Sequence, residues 1–563
     1  MNEQRLSFII VGASVAGLAA GIALKRSGHS VLILEKAAGL GDGRSTIPVG
    51  CARITPNGSK ILYDWGLEER IEELQYQTSS SGFAVFRYEG NGEQQDLMGV
   101  QRYDEEMLSE ARGQYLTFRH VDLINLLYDE FYRPTKSSSL DKNMVEVRFG
   151  AEAASIDLES CVVTLRSGEP LVADVIIGAD GPSGMVRAAL EQEGDREEIS
   201  RTSDRLTSDD GDFWADSDSE SEGSHVLGDT EGVPLVVYSA TIPKSTMQGH
   251  PALADFSSYS HCAFFGSNRG AFVYSVGEDL SVCIYMSRLF LDGQPSGLKI
   301  SDMLGSACDS AQVIRCIVSI ADTVDDDKVQ PPLCRPLQEH EPLQSWVSES
   351  GRVVVIGEAA HPFPAGAVYS YACALEDGSF IGKIFSHTQD RSRIPELLYA
   401  FQEHRKPRCT LLHDIEIQYV AALTLEGEMS VLRDAMFRAN YQQGKNVLEM
   451  PESMEGQRME ETRAIFAYDA ADDADEWWIT WGRFRDLTVS QREEVYEKAA
   501  PERLRMRHKS SRDSNASSSD SHFGDLTPRP GQLGEARDDT HWLYDGSARR
   551  EWTAQAEDPE VHS

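Results

Sequence analysis

Residues 8–35, FIIVGASVAGLAAGIALKRSGHSVLILE, constrain the fold more than any other part of this sequence. Phe8–Val11 is a short β-branched run, typical of a strand buried on both faces. Gly12-Ala13-Ser14-Val15-Ala16-Gly17 follows, then an Ala/Leu-rich stretch that Gly28 stops. A second apolar run, Val31–Leu34, comes at the spacing of a βαβ unit. Gly12 permits a tight turn and Gly17 lets helix and strand pack closely. The middle position, here Ser14, brings backbone N–H groups against a pyrophosphate at the helix N-terminus. Glu35 ends the second strand, where a carboxylate accepts hydrogen bonds from ribose hydroxyls. A βαβ unit without a ligand is the plainer alternative. A nucleophile elbow fails, because Gly17 lies one residue too far from Ser14 for G-x-S-x-G.

No residue from Leu6 to Leu24 is charged, so the same stretch could be taken for a membrane span or signal peptide. The leader carries Glu3 as well as Arg5, glycines break the run, and the second strand follows. No integral membrane segment is expected. The 563 residues are too many for one core. Lys and Arg number 53 against 91 Asp and Glu, a net charge of −38, which argues against nucleic acid or an anionic membrane surface as partner. Nine cysteines with no CxxC pair make neither a disulfide framework nor a zinc module, so a reducing, cytoplasmic setting is expected. No HExxH or P-loop is present, and no metal site is expected.

Two further buried-strand runs are Val175–Gly178, in ADVIIGAD, and Arg352–Ile356, in RVVVIGEAAHP. Between them, Val233–Tyr285 holds alternating pieces such as CAFFGSNRGAFVYSV, which read as sheet strands of a different domain. Glu191–Gly232 carries fifteen acids and three bases, about a third of the net charge, and is expected to be disordered. The same holds for roughly Arg507–Asp539. Pro395–Leu423 and Met459–Arg485 read as helices.

Gly178-Ala179-Asp180-Gly181-Pro182-Ser183 and Gly357-Glu358-Ala359-Ala360-His361-Pro362 each place a carboxylate at the end of a buried strand, where α/β sheets bind ligands. Alone, Asp-Gly is usually a turn. In order with ARITPNGSKILYDWGL, FRHVDLINLL and ALEDGSFIGKIFSH, these blocks resemble the FAD-dependent aromatic hydroxylase family, the single-component flavoprotein monooxygenases. The salicylate hydroxylase-like enzymes and fungal biosynthetic types are the nearest. The resemblance covers about Ser7–Arg187, Val233–Phe290 and Gly351–Arg408.

The resemblance implies an α/β fold: a discontinuous Rossmann-like FAD-binding domain with an inserted α+β substrate domain and a C-terminal helical extension. The FAD-binding domain would span 1–85, 115–190 and 346–390, and the substrate domain 86–114 and 233–345. The acidic insertion would be 191–232, the helical region 391–500, and a mostly disordered tail 501–563. It implies that Glu35 holds the adenosine ribose and that Gly12, Ser14 and Gly17 cradle the pyrophosphate. Arg119 would contact the phosphates or ribityl chain. Asp180 and Gly181 belong to a motif tied to both FAD and NAD(P)H, and Glu358 stands where a ribityl-binding Asp is usual. Lys36, Gly50 and Tyr371 complete the cofactor set. Pro364 to Tyr371 would pass the flavin ring and open a helix at Ala372.

The sequence departs from the family pattern. A loop usually written G-Q-G-x-N reads Val368-Tyr369-Ser370-Tyr371-Ala372, without either glycine. An arginine that some relatives place on the first substrate-domain strand is Ser239, so a strongly anionic substrate is less favoured. Tyr274 is kept and is the catalytic candidate, as a hydrogen-bonding or deprotonating group, with a core tyrosine as the alternative. Tyr285 and His261 are weaker candidates. Trp477, Trp478 and Trp481 are expected mainly to pack, and HWLYDG near Trp542 to form a small docked piece.

The resemblance implies a monooxygenase of secondary metabolism that uses FAD and NAD(P)H. It would insert one atom of O2 into a small aromatic or polyketide-like substrate through a flavin C4a-hydroperoxide. Partners would be that substrate and O2, and a homodimer is compatible. An epoxidase of an isoprenoid-type double bond, and a flavin-fold protein without oxygenase activity, are the alternatives.

Overall fold

The computed structural model describes residues 5–40, 51–74, 79–90, 95–134, 145–207, 235–247, 261–287, 311–323, 332–449 and 460–484. The four β-branched runs pair as anticipated, in a five-stranded parallel sheet. Its order is Val353–Val355, Val175–Gly178, Ser7–Val11, Ser30–Glu35 and Val145–Phe149. Continuous apolar strands suit a sheet covered on both faces. Helix Val15–Arg26 makes the first crossover, and helix Ser370–Ile384 packs along it. That contact is very close. A Cβ at Gly378 would meet the backbone of Ala19 and Ala20 at 2.6 Å, and one at Gly382 would meet the Ala23 Cβ at 2.2 Å. Helix Ser370–Ile384 opens two residues before the expected Ala372.

A second, seven-stranded sheet runs Leu333–Pro336, Leu235–Pro243, Asp279–Ser287, Arg269–Val276, His261–Phe265, Gly82–Arg87 and Leu97–Arg102. Its strand Gly82–Arg87 begins ahead of the boundary expected at residue 86. One face, with Tyr238, Val282 and Ile284, packs on Val313, Ile314 and Ile317 of the amphipathic helix Gln312–Thr323. The other face, with Val237 and Tyr285, packs on Ala365, Val420 and Phe437. A small antiparallel sheet, Cys51–Ile54, Tyr115–Arg119 and Ser79–Ser80, supplies residues that reach the large sheet. Both larger sheets lie in one compact unit, residues 1–209 and 233–482. The other unit, residues 210–232 and 483–563, lies almost wholly outside the described residues, Trp542 included.

Two expectations are corrected. Helix Met185–Thr207 runs into the acidic segment, so disorder does not begin at Glu191. Arg187 pairs with Glu191 at 2.8 Å one turn on, the spacing that supports a charged helix. The remainder of that segment lies outside the described residues. The single helix expected over Met459–Arg485 is broken at Asp469, whose carboxylate caps helix Ala470–Thr480 by accepting from Ala471 and Asp472 N–H. Of the three tryptophans, Trp477 is buried, Trp478 stacks on His387 at 4.9 Å, and Trp481 is exposed.

Helix Ile394–Leu423 is tied to helix Ser370–Ile384 by buried charge. Arg405 pairs with Glu376 at 2.7 Å and Asp377 at 3.0 Å, all three fully buried, and Arg408 pairs with Glu376 at 3.2 Å. Asp377 also accepts from the Gly357 N–H at 2.9 Å and bonds His361 at 2.6 Å. His361, Asp377 and Cys409 bring ligand-type atoms within 4.8 Å of one another. Arg405 already occupies that space and lies 3.7 Å from the Cys409 Sγ, so the group reads as an ion-pair network. Arg405→Met should lower the unfolding free energy by about 3–5 kcal/mol, the usual result of leaving a buried charge uncompensated. The midpoint of urea unfolding measures this, and an unchanged midpoint would deny the network its role.

Candidate active site

The site has two ends, and the glycine turn builds the first. Gly12 has φ +106°, and a Cβ there would lie 2.4 Å from the Ala179 carbonyl oxygen. A Cβ at Gly17 would lie 2.0 Å from the Gly12 carbonyl oxygen. Ser14 explains why the middle glycine is dispensable. It caps the helix by accepting from the Gly17 N–H at 3.2 Å, and its hydroxyl donates to the Ala179 carbonyl at 3.0 Å. The first turn carries no acidic residue, so its N–H groups, which have no acceptor within the helix, suit an anion. Glu35 accepts from the Ala13 and Ala37 N–H groups, both at 2.9 Å. One bond to each carboxylate oxygen leaves lone pairs for hydroxyl donors. Lys36, next along, is exposed.

The later motifs converge on this turn, but with altered roles. Asp180 caps the following helix by accepting from Val186 N–H at 2.9 Å. Its other oxygen is buried without a hydrogen-bond partner, and burial raises its pKa. Gly181 has φ +84° in the same turn. Glu358 faces inward: it accepts from the Ser370 hydroxyl and, at 3.3 Å, from the Phe363 N–H. Arg119 sits opposite Cys51 and binds Asp122 at 2.7 and 3.2 Å. Its neighbour His120 lies 6.0 Å from the ring of Tyr371, so these two motifs meet. Gly50 lies outside the described residues. A flavin dinucleotide fits this set. The turn excludes any side chain at Gly12 and Gly17, the amides beyond it are acid-free, and Asp180 holds an unanswered acceptor.

The second end lies where the small sheet meets the large one. Arg53 is buried and donates to the Tyr274 hydroxyl at 2.5 Å. It also donates to the Gly366 and Ala367 carbonyls at 2.5 and 2.9 Å. Its guanidinium lies 4.5 Å from the Tyr274 ring centroid. The sequence reading missed this residue. It stands in the quoted block ARITPNGSKILYDWGL, but nothing local marks its partner, more than two hundred residues on. Ser239, on strand Leu235–Pro243 of the large sheet, instead lies 3.8 Å from the Cys283 Sγ.

Burial raises the Tyr274 pKa, and Arg53 offsets that only in part. The phenol therefore keeps its proton at neutral pH. Arg53 occupies its oxygen, which leaves the phenol proton for another acceptor. His261 bonds Thr117 at 2.8 Å and packs edge-on to Tyr274 at 5.3 Å. Burial, with Arg53 adding, pushes His261 down to about 4, and burial does the same to His120. Tyr285 donates to the Gly366 carbonyl at 3.1 Å. Tyr103 and Tyr115 stack at 3.8 Å, and Phe466 packs on Tyr115.

A family model described as the FAD binding domain matches residues 5–210. FAD-dependent monooxygenase OpS4 of Beauveria bassiana (strain ARSEF 2860) is 26% identical over 431 residues, 72% of this chain and 82% of the relative. Asperlicin C monooxygenase of Petromyces alliaceus is 24% identical over 422 residues, 73% of this chain and 79% of the relative. Among solved structures, CtdE in complex with FAD and substrate 4 aligns with TM-score 0.58 at 15% identity, over 85% of this chain and 99% of its own. A salicylate hydroxylase substrate complex aligns with TM-score 0.55 at 16% identity, over 84% and 98%. These structural matches speak for the fold.

Two outcomes follow from the geometry. Glu35→Ala should weaken FAD retention at least about tenfold, since one hydrogen bond to a charged group contributes about 1.5–3 kcal/mol. A variant that stays fully loaded through desalting would refute the placement of Glu35. The His261 imidazole should hold one NMR shift from pH 8 down to 5 and move only on approach to its pKa of about 4. Titration near 6.5 would mean that the seam is wet.

Proposed function

We propose that the protein is an FAD-dependent monooxygenase of the aromatic-hydroxylase type, which uses NAD(P)H and O2 to oxygenate a small aromatic or polyketide-like molecule of secondary metabolism. One observation carries this reading: a dinucleotide turn and a buried, aromatic-walled Arg53–Tyr274 pair are built into one compact unit. Bound FAD supplies the redox chemistry, accepting hydride from the nicotinamide and activating O2 once reduced.

The chain's own residues bind and orient. Glu35 receives the ribose hydroxyls, and the amides after Gly12 receive the pyrophosphate. The Tyr371 and Ala372 N–H groups, in the first turn of helix Ser370–Ile384, would favour negative charge on a flavin held there. Tyr274, its oxygen held by Arg53, donates its proton in a hydrogen bond to a substrate carbonyl or phenolate oxygen. Neutral His261 and the Tyr103–Tyr115 stack keep water from the reacting face.

The visible spectrum before and after anaerobic NADPH tests the cofactor. Substrate-stimulated NADPH consumption, with one 18O atom from 18O2 in the product, tests the reaction. Slow peroxide release with unchanged substrate would favour the flavin protein without oxygenase activity, and an epoxide product would favour the epoxidase. Tyr274→Phe should keep its FAD and lose about 10²-fold in product formation, the low end of what a positioned proton donor contributes. Full activity in that variant would return Tyr274 to a packing role.

A further inference from the structure

The loop that replaces the two glycines, before helix Ser370–Ile384, carries a device of its own. Arg53 holds it from one side through the Gly366 and Ala367 carbonyls. Glu416, on helix Ile394–Leu423, holds it from the other through the Val368 N–H and, at 2.7 Å, the Tyr369 N–H. The Ala367 carbonyl and the Val368 N–H belong to a single peptide group. Its oxygen faces the cation and its hydrogen faces the anion, so the two charges lie along the peptide dipole. Both side chains are buried. Gly366, with φ +79°, has Tyr285 packed where a Cβ would go, which anchors the start of the loop.

We propose that Arg53 and Glu416 form a charge clamp on the Ala367–Val368 peptide, and that this clamp fixes the flavin-facing first turn of helix Ser370–Ile384 in place of glycine geometry. The inference rests on the flavin reading above. Its physical ground is that a peptide flip would turn a carbonyl toward a buried carboxylate and an N–H toward a buried guanidinium. Both contacts would change from attractive to repulsive in a poorly screened setting. Among the described residues Glu416 makes no ion pair that would explain its burial. Burial lifts its pKa to about 7, so stability falls as pH rises from the ordinary carboxylate range to that value and levels off above it. The buried charged groups that face it are Arg53 and, as titratable phenols, Tyr285 and Tyr369.

The test uses the full chain with FAD. Amide hydrogen exchange over residues 363–372, visible circular dichroism of the bound flavin and FAD affinity are measured for wild type, Glu416→Gln, Glu416→Ala, Arg53→Met and the double variant Arg53→Met/Glu416→Ala. Glu416→Gln keeps an acceptor oxygen and should fold at least as well as wild type. Glu416→Ala and Arg53→Met should each speed exchange of the loop amides at least about tenfold and change the flavin dichroism. FAD affinity should stay within about tenfold, because the adenosine end is untouched. The double variant should lose no more than either single one, as expected of two groups acting through one peptide. Glu416→Gln should fall between wild type and Glu416→Ala. Wild-type exchange and dichroism in both single variants, or strictly additive losses, would overturn the clamp. A wild-type protein that binds no FAD would instead sink the flavin reading, while the exchange arm would still judge the clamp.

Discussion

At Gly12 two backbones approach more closely than any side chain would permit, and the placement of the site follows from that approach. The turn presses on the Ala179 carbonyl, so the start of helix Val15–Arg26 is fixed against the end of strand Val175–Gly178. Ser14 bridges the same two segments through one hydroxyl. Further along, Gly378 and Gly382 let helix Ser370–Ile384 lie almost backbone to backbone on Ala19, Ala20 and Ala23. The helix behind the glycine turn and the helix behind the Val368–Tyr369 loop are therefore one packed pair. Dispersion over such short distances falls quickly with separation, which leaves little freedom for either helix to shift alone.

Much of this was legible in the sequence because its signals are local. Buried parallel strands read as unbroken β-branched runs, and FIIV, VLIL, VIIG and VVV all took that form. The turn read as strand, glycines, helix and terminal Glu35. What escaped was set by partners far away in the chain. Arg53 is one charge in a helix-bounded block, and its phenol partner is on a strand of the other sheet. Glu416 sits in a long helix whose other acids are ordinary surface charges, and only the loop above it makes it distinct. Tyr274 was identifiable as a candidate, but the group that holds its oxygen was not. The acidic helix Met185–Thr207 failed for the opposite reason. Composition argued for disorder, while the helical spacing of its charges and its anchoring by Arg187 decided otherwise.

The buried charges divide into two kinds. Arg405 and Arg408 face Glu376 and Asp377, so cation and carboxylate compensate one another directly and tie helix to helix. Arg53 is different: its described partners are a phenol and two carbonyls. Removing a guanidinium from water without a carboxylate in contact is costly. A guanidinium does not give up its proton in a protein, so Arg53 stays cationic despite its burial. Such a cation is a permanent source of positive field beside the Gly366–Ala367 carbonyls. It polarises the Tyr274 hydroxyl, and it adds to the burial that keeps neighbouring His261 neutral.

That same arginine spans a mechanical joint. It belongs to the small sheet, Tyr274 belongs to the seven-stranded one, and the loop carbonyls precede helix Ser370–Ile384, which packs on helix Val15–Arg26. Shear between these layers by the length of one hydrogen bond would strip a buried charge of all three partners at once. Domain sliding along this seam is therefore disfavoured as a way of admitting a substrate.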